Sequence, residues 1–359
     1  MRLPVRVLRE VSAEPVIAVD GAWGAPGLNL SHWPGNTTPA ALRHELSTGS
    51  ALAFARLGAR EREDFAAGAV AIANNHYDTD GICALWSVAR PADALPRAGL
   101  LLDAAAAGDF FRIPTEDALA VDAIVGGLGS PGSPLAAGLA GLDDLARWQR
   151  QTDHLMEQLG AILDGDRGAY RALWEPVLED ARADRADLAR SRRRDRPELD
   201  LTVWTAPAGL ASSRPHAPVN GFDPGRHALQ GGTPRDRVLV LAERDGGTCC
   251  RLIFGTRSWF DLPGVRPRPR PDLDALAARL NALGGTDPDG PAAWRAQPAT
   301  GASPELWFGA AELESFAEHS GALRPCGTSA AAIEDTIATA LSVASTSTSK
   351  SPIVSHPRR

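Results

Sequence analysis

The sequence predicts an α/β protein with a mostly parallel sheet in its N-terminal domain, a helical linker, and a smaller α+β C-terminal domain. Three observations carry that prediction. Early in the chain, short apolar runs that end in an acid alternate with helix-compatible stretches, the pattern of parallel strands joined by crossovers. Leu142 to Arg196 then holds a helical stripe. From Leu199 onward strand-like runs are separated by Gly/Pro/Asp loops. These textures divide the chain at 1–141, 142–198 and 199–342, and leave a Ser/Thr-rich tail, 343–359, read as disordered.

Bulk properties narrow the function classes. A chain of 359 residues is long enough for two cores, and 44% hydrophobic with 23% charged residues is ordinary for a soluble globular protein. No apolar run approaches the roughly 18 residues that span a bilayer, and Met1 to Glu10 is no signal peptide, so a cytoplasmic location with no membrane partner is expected. The net charge of -7 argues against an extended nucleic-acid groove, which must neutralise many phosphates. A small anionic substrate containing phosphate remains allowed, as does a homodimer. Lys350 is the sole lysine, which excludes a P-loop and a Schiff-base mechanism. The four cysteines, Cys83, Cys249, Cys250 and Cys326, have no C-x-x-C spacing and read as buried apolar residues.

In chain order, residues 3 to 20 predict one or two strands, the stronger being Pro15 to Val19 with Asp20 at its end. Gly21, Gly24 and Gly27 follow as G-x-x-G-x-x-G, which is not a dinucleotide turn. Leu28 to Pro39 places His32 between a short strand and a Pro/Gly turn. Thr38 to Leu57 predicts a helix interrupted at Ser47-Thr48-Gly49-Ser50, a polar cluster fit either to line a pocket or to start a second helix. Ala69 to Ala73 predicts a buried strand. Gly99 to Asp103 predicts another, again closed by an acid, and Asp109 is a second, weaker candidate. Thr115-Glu116-Asp117 predicts a helix start. Gly126 to Gly141 closes the first unit.

The centre of the chain is Asn74-Asn75-His76-Tyr77-Asp78-Thr79-Asp80-Gly81, which leads into a helix-compatible run from Ile82 to Ala89. An imidazole and two carboxylates within five residues, after a strand and before a glycine, fit a divalent-cation site. An EF-hand frame fails, because it requires an acid where His76 stands and a Glu where Ser87 stands. The plain alternative is an Asp-rich turn that caps the following helix.

His76, Asp78, Asp80, Gly81 and Ala84 spell His-x-Asp-x-Asp-Gly-x-x-Ala, which resembles the first motif of the DHH phosphoesterase superfamily. The resemblance implies a parallel-sheet domain holding one or two Mn²⁺ or Mg²⁺ ions, with a substrate-binding domain behind a helical linker. It implies metal ligation by His76, Asp78, Asp80 and Asp103; Asp20 is a further candidate ligand because it, like Asp80 and Asp103, follows an apolar run, and parallel strands would gather these acids at one sheet edge. It implies catalytic parts for Asp80, Asp103 and His32. Ser31-His32-Trp33 is similar to the family's Asp-His-His triplet but keeps one imidazole, and it precedes the His76 motif where the family's triplet follows. In the C-terminal part, Arg257 and the Gly284-Gly285 loop resemble the family's substrate-holding arginine and Gly-Gly-His loop, with Thr286 in place of the histidine.

Two further features complete the reading. Arg182 to Arg196 holds seven arginines against three aspartates, a local excess of +4, and reads as a solvated helix end. His216 and His227, with Asn220, Asp223 and Arg226, form a loop cluster without metal spacing. The functional expectation is a divalent-metal-dependent phosphoesterase-like hydrolase acting on a small phosphorylated or short oligonucleotide substrate. The alternatives are a degenerate relative that binds a ligand or partner, and another metal-assisted biosynthetic reaction on the same scaffold.

Overall fold

The computed structural model describes residues 3–66, 68–216, 221–310 and 323–346. The fold is mixed α/β with two sheets. In the first half β1 (Val5–Val7), β2 (Val16–Val19), β3 (Gly27–Leu30) and β4 (Ile72–Asn74) form a four-stranded sheet in the order β1-β4-β2-β3. Every pair in it is parallel. The helices of this half are α1 (Ser47–Arg56), α2 (Ala59–Phe65), α3 (Thr79–Ala89), α4 (Pro91–Ala94), α5 (Ala98–Phe110), α6 (Glu116–Gly127), α7 (Ala136–Leu139), α8 (Asp144–Leu163) and α9 (Arg171–Ala189).

The strands are short; the two central ones, β2 and β4, are buried along their whole length, so β2 reads as a continuous apolar run without alternation, whereas edge strand β1 exposes Arg6. Ile17, Val19, Leu30 and Ile72 share one core with Leu85 of α3, Leu155 and Leu159 of α8 and Leu173 of α9. The helices expected as a linker therefore pack into the first core. β2 and β3 are joined through residues 20–26 without a helix. Gly27 permits this: its φ is 107°, and a Cβ there would lie 2.4 Å from the Val16 carbonyl oxygen.

The second sheet has six strands: β5 (Arg192–Arg196), β6 (Leu201–Ala206), β7 (Arg237–Arg244), β8 (Gly247–Phe254), β9 (Ala293–Ala296) and β10 (Glu305–Gly309). Their order is β5-β6-β7-β8-β10-β9, and only β6 and β7 run parallel. The helices here are α10 (Arg226–Gly231), α11 (Leu273–Gly284) and α12 (Ala330–Thr346). The period of two in β7 sends Leu239 and Leu241 to a core shared with α11 and α12, and Val238 and Val240 to the opposite core with Phe222 and Leu229.

Three expectations are corrected. Gly99 to Asp103 is not a strand but the start of α5, because the run continues through Ala104–Ala107, strong helix formers, and is too long for one strand. Arg192–Arg196 is not a helix end but edge strand β5, whose exposed arginines protect a sheet margin. The tail does not begin at 343, since α12 continues to Thr346; residues 347–359 lie outside the described residues. Strands β9 and β10 and helix α12 were not anticipated. All four cysteines are buried and free. Among the described residues no helix is long and apolar enough to cross a membrane.

Candidate metal centre

Three neighbouring parallel strands, β4, β2 and β3, deliver their carboxyl ends to one place. Asp20 follows β2 directly, His32 stands two residues past β3, and His76 two past β4. Open α/β sheets place ligands at that edge. α3 then begins, and its first turn carries Asp80, while Asp109 arrives from the last turn of α5.

Two adjoining groups result, and within each the ligand atoms lie within 4.8 Å of one another: Asp20, His32, Asp80 and Asp109, and Asp20, His76 and Asp78. Asp20 belongs to both, one oxygen turned to each. Its Oδ1 lies 3.6 Å from His32 Nε2 and its Oδ2 lies 3.1 Å from His76 Nε2. His32 Nε2 is also 3.7 Å from Asp80 Oδ2 and 3.1 Å from Asp109 Oδ2. His76 Nε2 is 2.9 Å from Asp78 Oδ2.

The surroundings orient each donor. His32 Nδ1 donates to the Glu45 carbonyl at 2.6 Å, and His76 Nδ1 to Asn75 Oδ1 at 2.9 Å, which turns both Nε2 atoms inward. Asp80 accepts from two consecutive amides at the start of α1: Ser47 N to Oδ2 and Thr48 N to Oδ1, both 2.7 Å. That helix terminus favours negative charge. Ser47 Oγ donates to Asp20 Oδ1 at 2.8 Å. The polar cluster at 47–50 thus both starts a helix and faces the site. Asp78 likewise fills two roles: Oδ1 accepts from Gly81 N and caps α3, while Oδ2 faces His76.

Electrostatics follow the crowding. Burial first, then the charges of Asp78 and Asp80, push Asp20 up to about 7. Burial would lower His32, but Asp109, Asp80 and Asp20 outweigh it and raise the imidazole to about 10. His76 is raised well above its ordinary value against burial, chiefly by Asp78. Asp78 is held at about 2, against burial, by His76 and the Gly81 amide. Burial raises Asp109 well above the carboxylate range.

The donor chemistry fits divalent cations. Asp20 Oδ2, His32 Nε2 and Asp109 Oδ2 are buried, yet none has a hydrogen-bond partner among the described residues. Buried polar atoms rarely stay so, and these converge on one another. Four carboxylates also match the charge of two divalent ions, and a mixed imidazole and carboxylate donor set can hold such an ion.

Strain and close packing sit at the same place. Asp20 adopts φ 47°, a left-handed conformation costly for most side chains. Gly81 has no room for a side chain, since a Cβ would lie 2.1 Å from Asn74 Nδ2 and 3.1 Å from Asp20 Oδ2. From the second half, Phe260 stacks on His32, Asp261 N donates to the His32 carbonyl at 2.8 Å, and Thr256 Oγ1 donates to the Asp109 carbonyl.

The structure brings together His32, His76, Asp78, Asp80 and Asp20. It does not bring Asp103, which lies mid-way along α5 outside both groups. Asp109 takes that place. The two are six residues apart, so they point in directions about 120° apart around the helix, and only one can face the site. Gly284 and Gly285 are also elsewhere. They form the C-terminal cap of α11, with Gly285 at φ 60°, and Gly284 packs near Thr328, whose neighbour Cys326 bridges to Thr248 at the start of β8. Arg257 lies beyond the other end of that strand, in the turn Thr256–Ser258, with Glu45 Oε1 at 4.0 Å. His227 contacts the Ala107 carbonyl at 3.1 Å and Asp122 at 3.4 Å, bracing α10 against α5 and α6; His216 pairs with Glu179. Asp223 and Arg226 join Arg251 and Glu305 in a buried ion network, and Asn220 lies outside the described residues.

No curated protein and no solved structure matches the chain. One family does match, over residues 3–350, and the chain therefore belongs to DUF6687, described as a family of unknown function.

Proposed function

We propose that the protein is a divalent-metal-dependent phosphoesterase-like hydrolase acting on a small phosphorylated substrate. The observation that carries this reading is Asp20, whose two oxygens each face a different imidazole, each imidazole being locked through its Nδ1. A carboxylate shared between two donor groups is the arrangement a two-cation phosphoryl site requires. The resemblance to the DHH superfamily at His76, Asp78 and Asp80 supports the same reading, with His32 taking the part of the triplet's imidazole and Asp109 the part first given to Asp103.

His76, Asp78 and Asp20 would hold one Mn²⁺ or Mg²⁺, and Asp20, His32, Asp80 and Asp109 a second. When bound, such ions supply Lewis acidity and acidify water near neutral pH. The chain's own groups do the positioning. The Ser47 and Thr48 amides fix Asp80, the Glu45 carbonyl fixes His32, and Phe260 excludes water from the buried side. Arg257, beside Glu45, would meet the anionic end of the substrate.

The test is chelator-sensitive, Mn²⁺-dependent hydrolysis of bis(p-nitrophenyl) phosphate and p-nitrophenyl phosphate by the full chain. Asp80→Asn should abolish turnover with unchanged circular dichroism. An unaltered rate would remove the assignment. A metal-dependent rise in melting temperature without turnover would favour the ligand-binding alternative.

A further inference from the structure

Thr79 stands between two carboxylates that belong to different donor groups, Asp78 and Asp80. Its buried hydroxyl donates to Asp122 Oδ1 of α6 at 2.5 Å. Because a single residue separates the two carboxylates, holding Thr79 holds the backbone from which both depart.

Asp122 is met from the other half of the chain. Its Oδ2 lies 3.4 Å from His227 Nε2 in α10, and the same nitrogen donates to the Ala107 carbonyl at 3.1 Å, two residues before Asp109. The His227 and Asp122 side chains are only 13% and 14% exposed, so the contact lies largely out of water, where it is stronger. α5 enters this crowded place because residue 108 is glycine: a Cβ there would lie 3.0 Å from both Asp122 Oδ1 and Thr79 Cβ.

α10 also grips the last turn of α5. The His227 ring meets Phe111 edge-on at 5.5 Å, and the Arg226 guanidinium lies 5.4 Å from the same ring. A Cβ on Gly231 would lie 3.3 Å from the Phe111 carbonyl oxygen. Arg226 is locked in turn by Glu305 of β10 and by Ser303, which fixes α10 to the second sheet. His227 belongs to neither donor group, yet it reaches three donors: Asp78 and Asp80 through Asp122 and Thr79, and Asp109 through the end of α5.

We propose that Thr79, Asp122 and His227 are positioning residues of the metal centre, and that the second half, through His227, sets how tightly the donors hold divalent ions. This rests on the metal-centre part of the proposed function, not on hydrolysis. Donors fixed beforehand lose less freedom on binding, so loosening the brace lowers affinity. The coupling is reciprocal: occupancy of the centre stabilises the seat of α10 by the same free energy.

Calorimetric titration of the metal-stripped full chain with Mn²⁺, beside melting temperatures in EDTA, tests the brace. Thr79→Val, Asp122→Asn and His227→Phe should each weaken Mn²⁺ binding about tenfold or more, whereas Thr79→Ser and His227→Gln, which keep the donor, should weaken it far less. His154→Phe breaks a 2.7 Å hydrogen bond to Tyr170 Oη outside both donor groups and should leave the affinity as in the parent protein. Hydrogen exchange supplies a readout that needs no variant: Mn²⁺ should slow exchange in α10 of the parent protein, and not in α12. Unchanged affinity in Asp122→Asn and His227→Phe, an equal loss in His154→Phe, or α10 exchange indifferent to Mn²⁺ overturns the proposal. A parent protein that binds no Mn²⁺ sinks the metal centre and the brace together. Mn²⁺ binding that depends on His227, without hydrolysis of either nitrophenyl phosphate, keeps the brace and sinks the phosphoesterase reading.

Discussion

The imidazole of His32 lies face to face with the ring of Phe260, their centroids 3.8 Å apart and their planes 25° from parallel. A donor at the end of a first-sheet strand is therefore walled by an aromatic ring from the second half. Phe260→Ala should cost about 3–5 kcal/mol by opening a cavity, while Phe260→Leu should be milder. Both should weaken the Mn²⁺-induced rise in melting temperature, which differential scanning fluorimetry measures. A full Mn²⁺ response in Phe260→Ala would show that the ring does not position His32.

The shared carboxylate and the misplaced one can be told apart. Asp20→Asn and Asp109→Asn should each remove the Mn²⁺ stabilisation, which for an intact site is about 2.7 kcal/mol at a hundred times Kd. Asp103→Asn should behave as the parent protein. Loss of the response in Asp103→Asn alone would restore the assignment made from sequence.

Metal uptake should release protons and strengthen as pH rises. Without metal, and against burial, the neighbouring carboxylates raise His32 to about 10 and raise His76 well above its ordinary value, which favours the charged imidazoles, yet ligation requires neutral ones. The sign for the metal-free protein is opposite. A histidine whose folded value exceeds its unfolded value of about 6.5 contributes stability that is complete below 6.5 and lost as pH rises through 10. Asp20, raised to about 7, also favours the fold less once pH passes from about 4 to 7. Denaturant unfolding at pH 6.5 and 9 should show the chelated protein less stable at pH 9, and the Mn²⁺ increment larger there. An increment that shrinks with pH would contradict imidazole ligation.

Gly81 and Gly99 make a paired test. Gly81→Ala forces a methyl against Asn74 and Asp20 and should destabilise by about 1–3 kcal/mol with loss of the metal response. Gly99→Ala, in open space on α5, should be neutral or stabilise by up to about 1 kcal/mol. Chemical denaturation of the two variants checks both.

Much of the site is legible in the sequence because it is local. His76, Asp78 and Asp80 lie within five residues on one strand-to-helix turn, and Asp20 and His32 each follow a short apolar run. Asp109 is harder to read because α5 is apolar on nearly every side, so its periodicity vanishes and Asp103, which closes the apolar run Leu100–Leu102, carries the strand-like pattern instead. Gly284-Gly285 misleads for a similar reason: a paired glycine after leucines is equally the signature of a helix end. Phe260 and the Glu45 carbonyl reach His32 through contacts between distant segments, and no spacing announces them. The strands β6, β7 and β8 are plain from their apolar runs, whereas edge strand β5 hides among arginines.

The left-handed backbone at Asp20 limits what descent can do at that position. Asparagine and glycine occupy such a conformation with ease, and bulky or branched residues do not. A sibling lineage that abandons the chemistry should therefore drift first to one of those two letters at position 20, while the turn itself persists. Scanning kindred genomes for that single exchange would sort working copies from retired ones before any is purified.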